Sequence, residues 1–430
     1  MLRHTLIFCL LFGYGCKTTQ NAGNSTVKDV EVSAEVRNDL LKSAQVFQGI
    51  DSPSTKTELE IKNGPMPAGA KAGKDYFDWG QTVTCRFAEK NFSKPPSGMS
   101  PKFICDILDA SGAVASKGVK IKYDPRNPEI YNEPAASRLL WLLGFPADNY
   151  YSVKIKCIGC PSKEDVWAFI KRYKTAKPDE QAAMRKTVED LTAANAVVDY
   201  TPAVIEKKWA EPLFLEGNED SGWSFVDDLL LPENQLKFSQ PERSEERIKR
   251  EALTILAGMI SHVDNQPGNQ RLYCKKSVSE TECPASETYF VIQDLGATMG
   301  GFRLSWDLRS AVTDNVQLGI GMNTWSRASG IFVKKNGCEV SVPSLSPNRT
   351  LGLNKDAKVS EAGRKFLLAR FVALGGGEGT DLTPAVRTKL REQLTKVFTA
   401  GRNGELHQST AWWVDTVMAK LDIVAAHKGC

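Results

Sequence analysis

The sequence predicts an α+β protein in which a small β-rich segment is followed by a larger, mostly helical segment. Short runs of β-branched and aromatic residues dominate between Trp79 and Cys160. After Pro161 the apolar residues recur at helical spacing instead. With 430 residues the chain can bury a sizeable core. We therefore expect one large domain built from these two parts, with boundaries at 76–160 and 161–430.

Composition and charge narrow the class of protein. The chain has 25% charged and 41% hydrophobic residues, as soluble globular proteins do. Its 55 basic and 51 acidic residues leave a formal charge of only +4, and no basic block carries interleaved aromatic residues. Such a weak and scattered charge argues against nucleic acid as a partner.

The first residues have the pattern of a targeting signal. Arg3 and His4 precede the short apolar run Leu6–Phe12, which predicts a secretory signal peptide over residues 1–15. Residues 13–16 resemble a bacterial lipobox, in which the cysteine, here Cys16, becomes lipidated. This predicts a lipid-anchored protein of a bacterial cell envelope, attached to a membrane through Cys16. The alternative is simple secretion.

The stretch that follows, residues 16–75, is rich in Ser, Thr, Asn, Gly and Pro. This composition is typical of a flexible tether. Within it, Gly64 to Lys71 is close to a phosphate-binding P-loop, but no Ser or Thr follows the Lys and no strand precedes the segment. A linker is the better interpretation.

The number of cysteines also fits an oxidising compartment. Once Cys9 is removed with the leader and Cys16 is assigned to lipid, eight remain, and an even number is typical of disulfides. The plausible local pairs are Cys85 with Cys105 and Cys274 with Cys283. Cys157 and Cys160, which have two residues between them, could be zinc ligands or a redox pair, although a structural role is the favoured interpretation.

Four strands and one helix are predicted in the β-rich part. The helix begins near Glu133 and Pro134, since Pro suits a first helical turn, and ends at Gly144. The strands are Thr82–Phe87, Lys102–Leu108, Gly118–Tyr123 and Tyr151–Cys157.

Four longer helices are predicted in the second part. The first places its apolar residues on one face and leads directly into the loop at Asp264. The helices cover Glu245–His262, Ser360–Ala373, Thr383–Thr399 and Gln408–Ala425.

The loop after the first of these helices carries the most informative motif. Asp264 and Asn269 follow His262 at the spacing of H-R-D-x-x-x-x-N, in which the Asp is the base of a kinase catalytic loop and the Asn binds a metal ion. Downstream, an apolar strand ends in Asp294-Leu295-Gly296, similar to the D-F-G element that binds magnesium. The alternative is that Asp264 to Gly268 form an ordinary turn. His262 is interpreted as a packed structural residue.

Phosphoryl transfer also needs a cation on the nucleotide phosphates. Lys120 and Lys122 alternate along one strand and so point to one face, with Lys122 preferred as the phosphate ligand and Lys120 in reserve. Glu133 at the helix start is placed to pair with this Lys. Lys102 could support the phosphates, since the loop before it has only one glycine, Gly98. The alternatives are ordinary exposed lysines and a Glu that favours a helix N-terminus without a partner.

In combination these motifs resemble a group of exported bacterial proteins that is itself distantly similar to phosphatidylinositol 3/4-kinases and HipA kinases. The resemblance covers about residues 79–402. It is carried by Cys85-Arg-Phe, Lys120-Ile-Lys-Tyr123, Glu133 to Trp141, Cys157-Ile-Gly-Cys-Pro161, Ile205-Glu-Lys207, Asn269-Gln-Arg-Leu272 and Asp294-Leu-Gly-Ala-Thr298.

This likeness implies a two-lobed protein-kinase-like fold, with a small β-rich N-lobe containing one helix and a larger, mostly helical C-lobe. It also implies ATP and Mg²⁺ (or Mn²⁺) as cofactors. Carried over by the same likeness are Lys122 and Glu133 as the phosphate clamp, Asp264 as the base, and Asn269 and Asp294 as metal ligands.

Three functions follow as hypotheses. The first is an envelope-anchored, ATP- and Mg²⁺-dependent phosphotransferase that acts on a hydroxyl of a protein or lipid. The second is a catalytically inactive kinase-like lipoprotein that serves as a binding or scaffold protein. The third is a structural envelope protein stabilised by disulfides. No G-x-S-x-G or H-E-x-x-H motif supports a hydrolase.

Overall fold

The computed structural model describes residues 44–66, 70–98, 100–163, 165–209, 245–263, 269–275, 284–300, 322–327, 330–333, 337–342, 355–428 and 430. The predicted signal peptide, Cys16, Asp264 and Cys283 lie outside this set. The α+β class is confirmed. The helices are α1 Glu58–Asn63, α2 Lys90–Ser93, α3 Glu129–Leu143, α4 Val166–Thr175, α5 Pro178–Ala193, α6 Glu245–Met259, α7 Glu361–Leu374, α8 Pro384–Ala400 and α9 Thr410–Ala426.

Five strands close into a barrel in the order β1-β2-β3-β5-β4. The pairings are antiparallel except that of β1 with β4, which is parallel. Two further antiparallel pairs are formed by β6 with β7 and by β8 with β9. The strands are β1 Thr82–Phe87, β2 Lys102–Leu108, β3 Val114–Tyr123, β4 Asn149–Ile158, β5 Val197–Lys207, β6 Gln270–Cys274, β7 Thr288–Ile292, β8 Glu339–Val342 and β9 Lys355–Lys358.

The barrel interior is apolar and contains two disulfides. Phe103, Ile121 and Ile205 are fully buried there, one from each of β2, β3 and β5. The Cys85–Cys105 disulfide links β1 to β2, as the sequence predicts. Cys157 and Cys160 are also bonded to each other, and both are fully buried. Their sulfurs are therefore unavailable to zinc, and a buried disulfide favours the structural interpretation.

The second core lies among the helices, where α3 packs against β4, β5 and α8. Helices α7, α8 and α9 begin close to the predicted positions because each has a side-chain cap. Ser360, Thr383 and Ser409 accept hydrogen bonds from backbone N–H groups three residues later. No helix in the described part of the chain is long and apolar enough to cross a membrane.

Several predicted boundaries differ from the structure. Strand β3 begins at Val114, four residues before the predicted Gly118, and α6 ends at Met259, three residues before the predicted His262. Helix α3 begins at Glu129, one turn before the predicted start, and Pro134 lies inside it. Part of the segment predicted as a tether is packed: Ala44, Val46 and Ile61 are buried, and α1 lies against α8. The physical reason is that these few apolar residues cover the helical core, which composition averaged over the segment conceals.

The hairpin β6–β7 brings the helical part of the chain against the barrel. The Asp148 backbone N–H donates to the Ile292 carbonyl, and the Tyr150 hydroxyl donates to the Gln293 carbonyl. Asn132 on α3 donates to the Thr298 carbonyl. The residues that follow β7 are thereby fixed beside α3 and the outer face of the barrel.

Candidate functional site

Charged side chains line the outer face of the barrel where it meets α3. The register pairs Lys102 of β2 with Lys122 of β3, and Lys120 of β3 with Glu206 of β5. Directly paired residues share a face of a sheet, and residues two apart on one strand do too. The four side chains therefore lie on one surface, opposite to the apolar interior.

Lys122 is the centre of this surface. Its side chain is fully buried and its Nζ contacts Glu133 Oε1 on α3, the pairing that the sequence suggested. The same Nζ lies 2.7 Å from Glu129 Oε2 and 3.5 Å from Asp294 Oδ1. One cation thus holds together carboxylates from the first two turns of α3 and from the segment after β7.

The balance of charges shifts the pKa of each member. Burial disfavours the charged form of Lys122, but Asp294, Glu129 and Glu133 outweigh it and hold the pKa of the amine well above its ordinary value. Burial raises the pKa of Glu133, with Lys122 opposing and Asp294 and Glu129 adding to the rise. Lys122 is therefore a cation at neutral pH, surrounded by more carboxylates than it can neutralise.

Lys102 lies beside this cluster, near Glu129 and Asp294 but in an ion pair with neither. It is 6% exposed, and no ion-pair partner is found for it among the described residues. Burial, followed by repulsion from Lys122, lowers the pKa of its amine. Its Nζ occupies the space beside Gly98, where a Cβ would lie only 2.7 Å away and where φ is +95°. A buried amine without a partner has capacity for an anion.

Glu129 lies at the partly exposed edge of the cluster. Besides Lys122, it accepts a hydrogen bond of 2.7 Å from the Ser100 hydroxyl, which ties α3 to the loop before β2. Its side chain also packs on Gly296, where any Cβ would lie 2.6 Å from Glu129 Cγ. Glu129 is thus held by the cation, by the loop before β2 and by the segment after β7.

Asn269 and Asp294, the predicted metal ligands, lie at the same end of the β6–β7 hairpin. Gln270 pairs with Ile292, and the next step of the ladder joins the Gln293 N–H to the Asn269 carbonyl at 2.8 Å. Asp294 follows immediately. Burial would raise the pKa of Asp294, but Lys122, Lys102 and Lys120 together lower it, so the carboxylate is ionised.

Asp264, the predicted base, lies outside the described residues. The preceding residue, Val263, donates its N–H to the Ala297 carbonyl, three residues after Asp294. His262 is fully buried, as expected for a packed residue, but neither ring nitrogen has a hydrogen-bond partner in the structure as described. Burial lowers its pKa to about 4, with Asp294 opposing.

Lys120 belongs to a second set of charges. Its Nζ lies 2.8 Å from Glu206 Oε2, and Lys208 contacts both Glu206 and the buried Asp148, each at 2.9 Å. Burial would raise the pKa of Glu206, but Lys120 and Lys208 lower it well below its ordinary value. Lys120, the second candidate for the phosphate ligand, is thus paired with Glu206 on the barrel. Lys122 instead faces α3 and Asp294.

Three carboxylates could in principle hold a cation without help from Lys122. The oxygens of Glu129, Glu133 and Asp294 lie within 4.8 Å of one another. Lys122 contacts all three, however, so a metal ion at their centre would meet the ammonium group. A metal ion could instead approach Asp294 from the solvent, since 32% of its side chain is exposed.

Sequence reasoning missed Glu129 and Glu206. Glu129 lies four residues before Glu133 and so one turn away on the same helix face, a signal that a correct helix start reveals. Glu206 lies on β5, a strand that is not among those predicted; it belongs to the segment Ile205-Glu-Lys207 that carries the resemblance but is not singled out there as a site residue.

Comparisons of the chain with protein-family models, with curated proteins and with solved structures find no match. No family is therefore assigned on this ground, and the kinase-like interpretation depends on the residues described above.

Proposed function

We propose that the chain is an ATP- and Mg²⁺-dependent (or Mn²⁺-dependent) phosphotransferase of kinase-like type, which acts on a hydroxyl of a protein or lipid. In this proposal the barrel with α3 is the small lobe of a two-lobed kinase-like fold, and the helical part is the larger lobe. The nucleotide phosphates lie between them, beside Lys122 and Lys102.

The observation that carries the proposal is the position of Lys122. A buried cation on the third strand contacts a Glu on the helix that follows and an Asp after a later strand. Phosphoryl transfer requires these elements together, since its catalysis consists mostly of positioning and charge neutralisation. Lys102 is buried beside them, with no carboxylate partner among the described residues, and supplies a second cation for the phosphates.

The charge of the cluster supports a metal requirement. The carboxylates of Glu129 and Asp294 already outnumber the single charge of Lys122, so a phosphate alone meets repulsion. Asp294 is an ionised, partly exposed carboxylate beside Asn269, and hard oxygen donors of this kind suit Mg²⁺. When bound, the metal ion neutralises phosphate charge. The residues present therefore fit the cofactor that the resemblance implies.

Asp264 enters the proposal from the sequence. Its spacing to Asn269 is that of a catalytic base and a metal ligand. Its role is to accept the proton of the attacking hydroxyl, whose oxygen then bonds to the terminal phosphorus as the bond to the leaving nucleotide breaks. Attachment to a bacterial envelope membrane through lipidated Cys16 is proposed on the leader sequence alone.

Nucleotide binding can be tested by thermal unfolding of the protein with ATP, with and without Mg²⁺. Binding to the native state raises stability, by about 2.7 kcal/mol at a ligand concentration of 100 Kd. We expect a rise with ATP and Mg²⁺ together, a smaller one with ATP alone, and none for Lys122→Met. Lys154→Met is the matched control, since Lys154 is an exposed Lys on β4 of the same barrel. Equal shifts for both variants contradict the proposed site.

Transfer can be tested with γ-labelled ATP and acceptor peptides or lipid vesicles. We expect Asp264→Ala to lower turnover by about 10²- to 10⁴-fold, with the ATP-dependent thermal shift retained, because the base acts after binding. Undiminished transfer by this variant excludes Asp264 as the base.

The alternative is a kinase-like protein that binds nucleotide without transferring phosphate. One observation favours it: Glu129 already occupies Lys122 and is held by Ser100, so the described conformation needs rearrangement before a phosphate reaches the amine. Binding of ATP and Mg²⁺ with no labelled product from any acceptor, in the presence of either Mg²⁺ or Mn²⁺, supports this alternative.

A further inference from the structure

The segment that follows α9 returns to the β8–β9 hairpin. The His427 ring stacks on the Phe332 ring, with centroids 3.6 Å apart and an interplanar angle of 3°. His427 Nε2 lies 2.8 Å from the Gly337 carbonyl oxygen. Phe332 itself forms a β-bridge with Val340. These contacts place the last described residues against the beginning of β8.

Two thiols meet at this place. Cys338 directly precedes β8, and its carbonyl accepts a 2.8 Å hydrogen bond from the Val359 N–H, which fixes its backbone to the end of β9. The Cys430 side chain is in hydrogen-bonding contact with the Cys338 side chain. Both are half-buried, and both pack on the core formed by the helices. The guanidinium of Arg364 on α7 interacts with both sulfurs.

The other cysteines indicate the redox conditions under which the chain folds. Cys85 is bonded to Cys105, and Cys157 to Cys160. Cys274 is disulfide-bonded as well, while its predicted partner Cys283 lies outside the described residues. Disulfides of this number form and persist in oxidising environments. A further pair of thiols in contact is exposed to the same conditions.

We propose that Cys338 and Cys430 are a site of oxidative modification, where a disulfide covalently ties the segment after α9 to the β8–β9 hairpin. The oxidant is a disulfide, carried by a thiol oxidoreductase or by a small molecule such as oxidised glutathione. One thiolate attacks the oxidant, and a mixed disulfide forms as the first thiolate leaves. The second cysteine attacks the mixed disulfide, the S–S bond closes and the second thiolate leaves. The two cysteines lose two electrons and two protons, which the oxidant gains in becoming two thiols.

The position of the pair determines when the bond forms and what it stabilises. Burial and the contact with Cys338 raise the pKa of the Cys430 thiol to about 12, so the reactive thiolate is rare in the packed state. Oxidation is therefore fastest while the segment after α9 is still open. Once closed, the bond encloses α7, α8 and α9 in one covalent loop, and closing a long loop restricts the unfolded chain most strongly.

The test uses the full chain, refolded with a mixture of oxidised and reduced glutathione. Free thiols are alkylated in denaturant at the end, and the protein is digested without reduction and analysed by mass spectrometry. We expect one species in which the peptide containing Cys338 is linked to the peptide containing Cys430. The proposal is overturned if both are found alkylated while Cys85 and Cys105 are linked, or if either is linked to another cysteine.

Single substitutions provide a second measurement. In Cys430→Ser we expect Cys338 to become fully alkylated, and the melting temperature of the oxidised protein to fall by about 2–6 °C. Cys338→Ser should give the same fall, and the double variant no more than either single one, because all three lack the same bond. A double variant that falls by the sum of the single effects indicates packing losses instead and contradicts the disulfide. Cys430 follows α9, outside every helix and strand of the described residues, so we expect Cys430→Ser to retain the fold, which its circular dichroism spectrum checks.

Discussion

Two buried cations lie against helix α3, and their surroundings differ. Arg138, on the helix itself, is fully buried and donates to backbone carbonyls, among them Ile61 at 2.9 Å and Tyr150 at 2.8 Å. Lys122, on β3, is equally buried but faces three carboxylates. Arg138 has neutral, fixed acceptors, whereas Lys122 lies among surplus negative charge.

The difference distinguishes a cation held by neutral carbonyl groups from the cation to which the proposal gives a function. The carbonyl groups around Arg138 cannot change their charge, and Gly64 leaves no room for movement, since a Cβ there would lie 2.2 Å from Arg138 Cζ. The carboxylates around Lys122 can exchange protons, metal ions or phosphates. An unbalanced cluster costs stability, and groups with strongly shifted pKa values are concentrated at functional sites, although structural ion-pair networks also contain them.

The largest effect should come from Arg138→Met. Its loss leaves several buried carbonyls without donors, and we expect the free energy of unfolding to fall by about 4 kcal/mol. Denaturant unfolding at pH 7 measures this. Arg126→Met is the control, because Arg126 is 53% exposed and its ion pair with Asp124 lies at the surface, so it should lose less than about 1 kcal/mol. Similar losses for both variants mean that Arg138 does not fix the fold as described.

Lys122→Met should cost about 3 kcal/mol, because it leaves carboxylates buried without their cation. A double variant that combines Lys122→Met with Glu133→Gln distinguishes the two cations further. Removing both members of a buried pair relieves repulsion, so the double variant should recover about 1–2 kcal/mol relative to Lys122→Met. Among the described residues the acceptors of Arg138 include four backbone carbonyl groups, which no substitution removes, so Arg138→Met has no such rescue. An additive double variant indicates that Lys122 and Glu133 are not coupled.

Several features of this cluster could be predicted from the sequence. Alternation along β3 placed Lys120 and Lys122 on one face, and the helix that follows supplied Glu133. The alternation of side chains depends only on the local strand conformation, so it can be predicted without knowledge of the tertiary structure. The proximity of Asn269 and Asp294 depends instead on the register of the β6–β7 hairpin. The sequence indicated it only through the order of the two kinase-like motifs along the chain.

The missed elements have identifiable causes. Pro134 predicts a first helical turn, but tertiary packing on both sides of α3 stabilises a helix that begins at Glu129. Strand β5 contains Pro202, which argues locally against a strand. In the structure the β4–β5 register shifts between Val153 and Ile155, opposite this Pro, and irregularities of this kind are where Pro is tolerated.

The stability of the fold should be sensitive to acid because of His262, which lies near Asp294, a contact of Lys122. Its folded-state pKa of about 4 is below the ordinary value of 6.5, so the neutral form stabilises the fold above pH 6.5 and this contribution is lost as the pH falls towards 4. We expect a loss of roughly 2.5 kcal/mol between pH 7 and pH 4.5. His262→Leu should flatten this part of the pH profile, whereas the control His407→Asn, at an exposed position, should not. An unchanged slope in His262→Leu assigns the acid sensitivity to other groups.

The smallest expected effect concerns Glu129. It distinguishes a side chain that competes with phosphate for Lys122 from one that binds the metal ion. If phosphate replaces Glu129 on Lys122, then Glu129→Gln removes repulsion and should tighten binding of ATP and Mg²⁺ by about tenfold, or about 1.4 kcal/mol. The substituted amide can still accept the Ser100 hydrogen bond, so the loop before β2 keeps its position. Titration by calorimetry measures the affinity, with Glu189→Gln on the exposed face of α5 as the control for lost negative charge. Weaker binding by Glu129→Gln instead makes Glu129 part of the metal site. The surplus charge around Lys122 would then serve to hold a cation, and no anion would need to displace a carboxylate.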